Sequence, residues 1–131
     1  MLLLDTHVWL WWVNATPGKL SNQLVERIEN EETVAVSAIS CFEIEWLARH
    51  GRIELNISLN DWFGNALSGA EITCLPITGE IARLAAALPE HHKDPQDRMI
   101  IATAMTHQAD LLSADAQFAL YDEIRQSLLS P

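Results

Sequence analysis

The first four residues, Met1 to Leu4, are apolar without interruption, and the run stops at Asp5. A strand with one wet face alternates apolar and polar residues. One that is apolar throughout is covered on both faces, as in a parallel sheet with helices above and below. Further short strands are expected at Thr33–Val36, Ile72–Leu75 and Leu111–Leu112. Between them lie helical stretches. Thr6 to Val13 is a short, Trp-rich helix, broken by Asn14–Gly18. Ser21 to Asn30 puts Leu24, Val25 and Ile28 on one face. Ser40 to about His50 ends at Gly51, a residue suited to the left-handed position after a helix. Helices are also expected from Ser58 to about Leu67, from Thr78 to near Pro89, and from Pro95 to Gln108. Strands alternating with helices predict an α/β fold with a mostly parallel sheet, in which helix outweighs strand.

No repeat, linker or low-complexity stretch divides residues 1–131, so a single domain is expected, and a chain 49% hydrophobic can build its own core. No apolar run approaches the roughly 20 residues that span a bilayer, and the opening run has no basic leader. Cys41 and Cys74 have the spacing of neither a disulfide framework nor a metal pair. A reducing, intracellular compartment, the cytoplasm, is the expectation. The formal net charge of −10 by itself argues against nucleic acid, which is bound by Lys and Arg, and fits a cation or a basic partner.

The acidic residues carry the chemistry. Asp5 follows the first strand, at the edge where open α/β sheets bind ligands, or it simply caps the next helix. Glu43 closes Ser40-Cys-Phe-Glu43, a capping box, yet it also follows a strand. Asp94-Pro-Gln-Asp97 reads as an N-cap, a proline at the first helical position and an acid in the first turn. Capping accounts fully for Asp94 and only partly for Asp97, since Glu or Gln is the usual partner there. The apolar residues Met99, Ile100, Ile101 and Met105 should bury that helix and hold its start rigid. Asp115 follows Leu111–Ala114 as a turn acid or as a fourth carboxylate at the same edge. Two ionised carboxylates about 4 Å apart repel by roughly 4 kcal/mol at an effective dielectric near 20. A cluster of them therefore calls for protons or a cation, and oxygen ligands suit Mg²⁺ or Mn²⁺.

LLLDTHVWLWW, SAIS-x-x-E followed by LARHGRIEL, HHKDPQDRMIIATA and LLSAD occur in an order that resembles PIN-domain ribonucleases, notably the VapC-type toxins of toxin–antitoxin pairs. The resemblance runs from Met1 to about Tyr121, and DPQDRMIIATA is its most specific part. It implies an α/β/α sandwich and Mg²⁺- or Mn²⁺-dependent cleavage of RNA by in-line attack of water, with no His required as general base. It implies Asp5, Glu43, Asp97 and Asp115 as the metal-holding quartet, and Asp94 as an accessory or capping acid. Thr6 and Ser113 become supporting hydroxyls, Ser113 standing where the family more often has Thr. It further implies a small antitoxin partner and a homodimer.

Arg49, Arg52, Lys93 and Arg98 flank the acids and are candidate phosphate contacts, with Arg98 equally suited to pairing with an acid. His91 and His92 beside Asp94 suggest zinc, but their spacing suits a polar loop better. His7 reads as a helix-start residue. Trp9 and Trp12 share a helical face that is core or partner-facing, and Trp46 and Trp62 lie in apolar helical patterns. A binding module of the same fold with little catalysis is the alternative function. An aspartyl-phosphate phosphatase needs a second Asp two residues after the first, where this chain has His7. A receiver domain needs a paired acid and a Lys that the sequence does not offer.

Overall fold

The computed structural model describes residues 1–131. Strand β1 (Leu2–Leu4) is the middle of a five-stranded sheet. With β2 (Val34–Ser37), β3 (Thr73–Leu75), β4 (Asp110–Leu112) and β5 (Leu128–Leu129), the order is β3-β2-β1-β4-β5, and every neighbouring pair is parallel. Leu2 is in register with Val34 on one side and Asp110 on the other. All three residues of β1 are fully buried, as an unbroken apolar strand requires.

Alternation along the strands divides the core between the two faces. Leu2, Leu4, Val34, Val36 and Leu112 pack against Val8 and Trp9 of α1 (Thr6–Val13), Ile28 of α2 (Asn22–Asn30), Ile44 of α3 (Ala38–Arg49) and Trp62 of α4 (Leu59–Gly64). Leu3, Ala35 and Leu111 pack against Ile100, Ile101 and Ala104 of α6 (Pro95–His107), and against Phe118, Tyr121 and Ile124. Helix α5 (Gly79–Ala87) joins that layer through Ile81 and Ala85, which meet Ala102. The result is an α/β/α sandwich. No helix is long and apolar enough to cross a membrane.

Local chemistry sets the boundaries. The first helix is capped by Asp5, and Thr78 and Asp94 cap α5 and α6 where expected. Gly51 takes φ +66° after α3. Its amide donates to Ala48, and that of Arg52 to Leu47, closing the last turn. The start of α3 differs from the expectation. Ser37, the last residue of β2, is the N-cap, and its hydroxyl accepts from the Ile39 amide at 3.2 Å. No loop separates strand from helix, so Ser40 lies inside the first turn and Glu43 inside the second. The capping box does not form, and Glu43 is released from that role. The helix expected from Ser58 to Leu67 is α4 followed by a π-helical turn, Asn65–Gly69. Two 3₁₀ turns, Ala116–Leu120 and Asp122–Ser127, lead into β5, which is too short to show a sequence period.

The tryptophans divide by position. Trp9 is fully buried, donates from Nε1 to the Ala66 carbonyl at 3.1 Å, and meets Trp62 edge-on with ring centroids 5.2 Å apart. Trp62 donates to Asn14 Oδ1. Trp12 packs half-buried against the core, whereas Trp46 is 42% exposed and stacks on His50. Cys41 and Cys74, whose spacing predicts no pairing, are free thiols with sulfurs 3.9 Å apart. Burial, and then the Cys74 sulfur, push the Cys41 thiol up to about 12. Replacing Trp9 with Ala removes a fully buried indole and orphans the Ala66 carbonyl. A loss of about 3–5 kcal/mol is expected by urea denaturation, with the secondary-structure signal retained in the absence of denaturant.

Candidate metal site at the carboxyl edge of the sheet

Because every strand points the same way, each acid-bearing segment reaches one edge. Asp5 follows β1, Glu43 lies on the helix that follows β2, Asp94 and Asp97 open α6, and Asp115 follows β4. Asp5 is 6% exposed. One of its oxygens caps α1 by accepting from the Val8 amide at 2.8 Å, and the other accepts from the Ser113 hydroxyl. That hydroxyl accepts in turn from the Asp115 amide at 3.0 Å, so it joins the two acids. Asp115 Oδ1 caps the following 3₁₀ turn through the Gln117 amide. Asp94 Oδ1 caps α6 through the Gln96 amide, in line with its reading as a capping acid. The other supporting hydroxyl is directed elsewhere: Thr6 donates to Ser40 at 2.9 Å, tying the start of α1 to α3 and touching no carboxylate.

The electrostatics show how little water compensates these acids. Burial raises the pKa of Asp5 above the ordinary carboxylate range, even though Ser113 and the Val8 amide partly offset it. Burial first, and then the charges of Asp94 and Glu43, raise Asp97 from 3.8 to about 6, against a lowering by His92. Glu43 is therefore close enough to act on Asp97. Its Oε2 is buried and has no hydrogen-bond partner in the chain. An unpartnered buried carboxylate oxygen among other carboxylates is costly unless a positive group meets it. The donor set is mostly carboxylate oxygen, which suits a hard divalent ion. On both counts, the residues present fit a cation.

His92, set aside in the sequence as part of a polar loop, lies against the acids. It sits within the site, with Nε2 2.6 Å from Asp97 Oδ2 and 3.8 Å from Asp115 Oδ2. The ligating atoms of His92, Asp94 and Asp97 all lie within 4.8 Å of one another. The sequence signal was present in HHKD, but a separation of five residues across a loop has no fixed geometry of its own.

Arg98 corrects the reading made from its position beside Asp97. It is 8% exposed, which excludes a phosphate contact, and it pairs with no acid. Its guanidinium donates to the carbonyls of Ala85, Ala86, Leu88, Pro89 and His92 and to the Tyr121 hydroxyl. Several of those carbonyls end α5, where the helix dipole favours a cation. Arg98 thus supports the site indirectly, by holding the loop between α5 and α6.

A wholly parallel α/β/α sandwich with carboxylates from successive crossovers along one edge defines a class of acid-lined α/β domains. Within it, this chain belongs to the PIN-domain family, whose model matches residues 2–124. It is 40% identical over 115 residues to ribonuclease VapC22 of Mycobacterium tuberculosis, covering 87% of this chain and 86% of that protein. Two solved structures share the fold. One is VapBC2 of Rickettsia felis bound to a promoter DNA fragment, with TM-score 0.74, 16% identity, and 100% of this chain and 99% of that one covered. The other is DNA-bound VapBC of Salmonella typhimurium, with TM-score 0.72, 16% identity, and coverage of 98% and 96%.

Two outcomes follow from the geometry. Arg98→Met leaves five carbonyls without their donor, and urea denaturation should show a loss of about 3 kcal/mol. Asp97 binds its proton more tightly folded than unfolded. Its contribution is therefore present in full below about pH 3.8 and is lost as pH rises through about 6. The metal-free protein should have a higher Tm at pH 5 than at pH 7.5, and Asp97→Asn should flatten that difference. Equal pH slopes in the two proteins would refute the assigned cause.

Proposed function

We propose that this chain is a divalent-metal-dependent endoribonuclease that hydrolyses RNA phosphodiester bonds in the cytoplasm as the toxin of a type II toxin–antitoxin pair. The observation that carries this is the buried, unpartnered Glu43 oxygen beside an Asp97 whose proton is held to about pH 6. The likeness to ribonuclease VapC22 supplies the substrate class. Asp5, Glu43, Asp97 and Asp115 would hold Mg²⁺ or Mn²⁺, with Asp94 at the rim. When bound, such an ion acidifies water and neutralises charge on the phosphate.

The remaining roles belong to the chain itself. Ser113 orients the Asp5 carboxylate and the Asp115 backbone together. The apolar packing of Ile100, Ile101 and Ala104 keeps the start of α6, and with it Asp97, from shifting. Exposed Arg52 and Lys93 are free to meet the RNA backbone, while Arg49 is drawn to Glu45. A small antitoxin would cover the acidic edge, where opposite charge favours a basic segment. Phe42 and Trp46, one turn apart on α3 and 56% and 42% exposed, offer an apolar face to a second copy in a homodimer.

The test is RNA cleavage by the purified chain with Mg²⁺ or Mn²⁺, with chelator, and in Asp97→Asn. Cleavage should need the ion and fall roughly 100-fold or more in the variant, whose circular dichroism is unchanged. Cation binding without cleavage of any RNA would overturn the enzyme reading in favour of a binding module.

A further inference from the structure

The backbone of His92 is fixed more firmly than a loop residue needs. Its amide donates to the Tyr121 hydroxyl at 3.0 Å, and its carbonyl accepts from that hydroxyl at 3.2 Å and from Arg98 Nη1 at 3.0 Å. Tyr121 is fully buried and Arg98 nearly so, so two core side chains converge on one loop peptide. His91 packs edge-on against the Tyr121 ring, with centroids 5.1 Å apart. None of these contacts uses the His92 imidazole. The imidazole is carried into the acidic edge, 16% exposed, and its Nε2 faces Asp97 and Asp115.

The donors gathered there are not all oxygen. One nitrogen from His92 and one oxygen each from Asp94 and Asp97 lie within 4.8 Å of one another. The ligands of a six-coordinate ion at about 2.0–2.2 Å are separated by roughly 3 to 4.4 Å. His92 Nε2 and Asp97 Oδ2, hydrogen-bonded at 2.6 Å, would part slightly to share one ion, with Asp94 drawn toward it. The Glu43 oxygen without a partner, whose charge acts on Asp97, is a further sign that these acids lack a positive group. Mg²⁺ favours oxygen ligands and gives up water reluctantly, whereas imidazole nitrogen favours first-row transition ions.

We propose that His92 Nε2 is a direct ligand of the divalent ion, beside Asp97 and Asp94, and that it makes the site select Mn²⁺ over Mg²⁺. This rests on the reading of the acids as a cation site. Anchoring through the backbone has a practical consequence: the side chain can be changed while Arg98 and Tyr121 still hold the loop.

The experiment uses the full chain and the two metals alone, without RNA. Calorimetric titration of Mn²⁺ and Mg²⁺ into the wild type, His92→Gln and Asp97→Asn is combined with pulsed electron paramagnetic resonance of the Mn²⁺-loaded proteins. The wild type should show nitrogen modulation of the Mn²⁺ signal that changes when histidine is labelled with ¹⁵N, a result that needs no variant. His92→Gln should lose that modulation and bind Mn²⁺ about 10- to 100-fold more weakly, with Mg²⁺ affinity altered less than about threefold. Mn²⁺ bound by the wild type without nitrogen modulation would overturn the proposal. So would modulation that persists in His92→Gln, or equal loss of both ions in that variant. The underlying cation-site reading fails separately, if Asp97→Asn keeps wild-type affinity for both metals.

Discussion

The parallel pairing of β1 with both β2 and β4 is the constraint on which the rest of the molecule depends. Once two neighbours run in the same direction as the first strand, each connection must cross over a face of the sheet, and each strand must end at the same edge. The chain leaves β1 toward β2 and β3, then returns to β4 and β5 on the other side. The edge at this reversal is where open α/β sheets form a crevice. Asp5 and Asp115 emerge on either side of it, linked through the Ser113 hydroxyl, and the starts of α3 and α6 close around them. The acids need no dedicated scaffold, because strand direction alone delivers them to one place.

Crowding carboxylates in this way opposes folding, and the chain absorbs the cost without placing a lysine or arginine among them. Arg98, the basic residue closest in sequence to Asp97, turns its charge onto helix-end carbonyls. Had it paired with Asp97, the carboxylate would be neutralised and of little use to a metal ion. Hydrogen bonds from Ser113, from backbone amides and from His92 offset part of the desolvation and leave the acids still short of positive partners. The stability comes from elsewhere, from the two apolar layers and from the loop held by Arg98 and Tyr121.

Features set by one or two adjacent residues were legible in the sequence. The unbroken apolar run of β1, the Asp94-Pro95 start of α6 and the glycine after α3 each carry a local reason for their structure. The fold class follows from the order of such elements. Features that depend on distant partners were not legible. Ser37 and Ser40 are both plausible caps, and only the length of β2 decides between them. The target of Arg98 depends on where the end of α5 lies, and the place of His92 depends on Tyr121, 29 residues away. Cys41 of α3 and Cys74 of β3 meet across 33 residues of sequence, which no spacing rule anticipates. Of the candidate site, the acids were legible as residue types at strand and helix ends. The nitrogen among them was not.

The strand made first is also the middle of the sheet, and its partnership with β4 spans 108 residues, the same separation that divides Asp5 from Ser113. At about 5–20 residues per second, the ribosome needs roughly 5 to 20 s to supply the second half of that pairing. Until then Asp5 is an ordinary solvated side chain on an unfinished strand. The Asp5–Ser113 contact, and with it the edge where the acids gather, is therefore completed only by the last strands to be made.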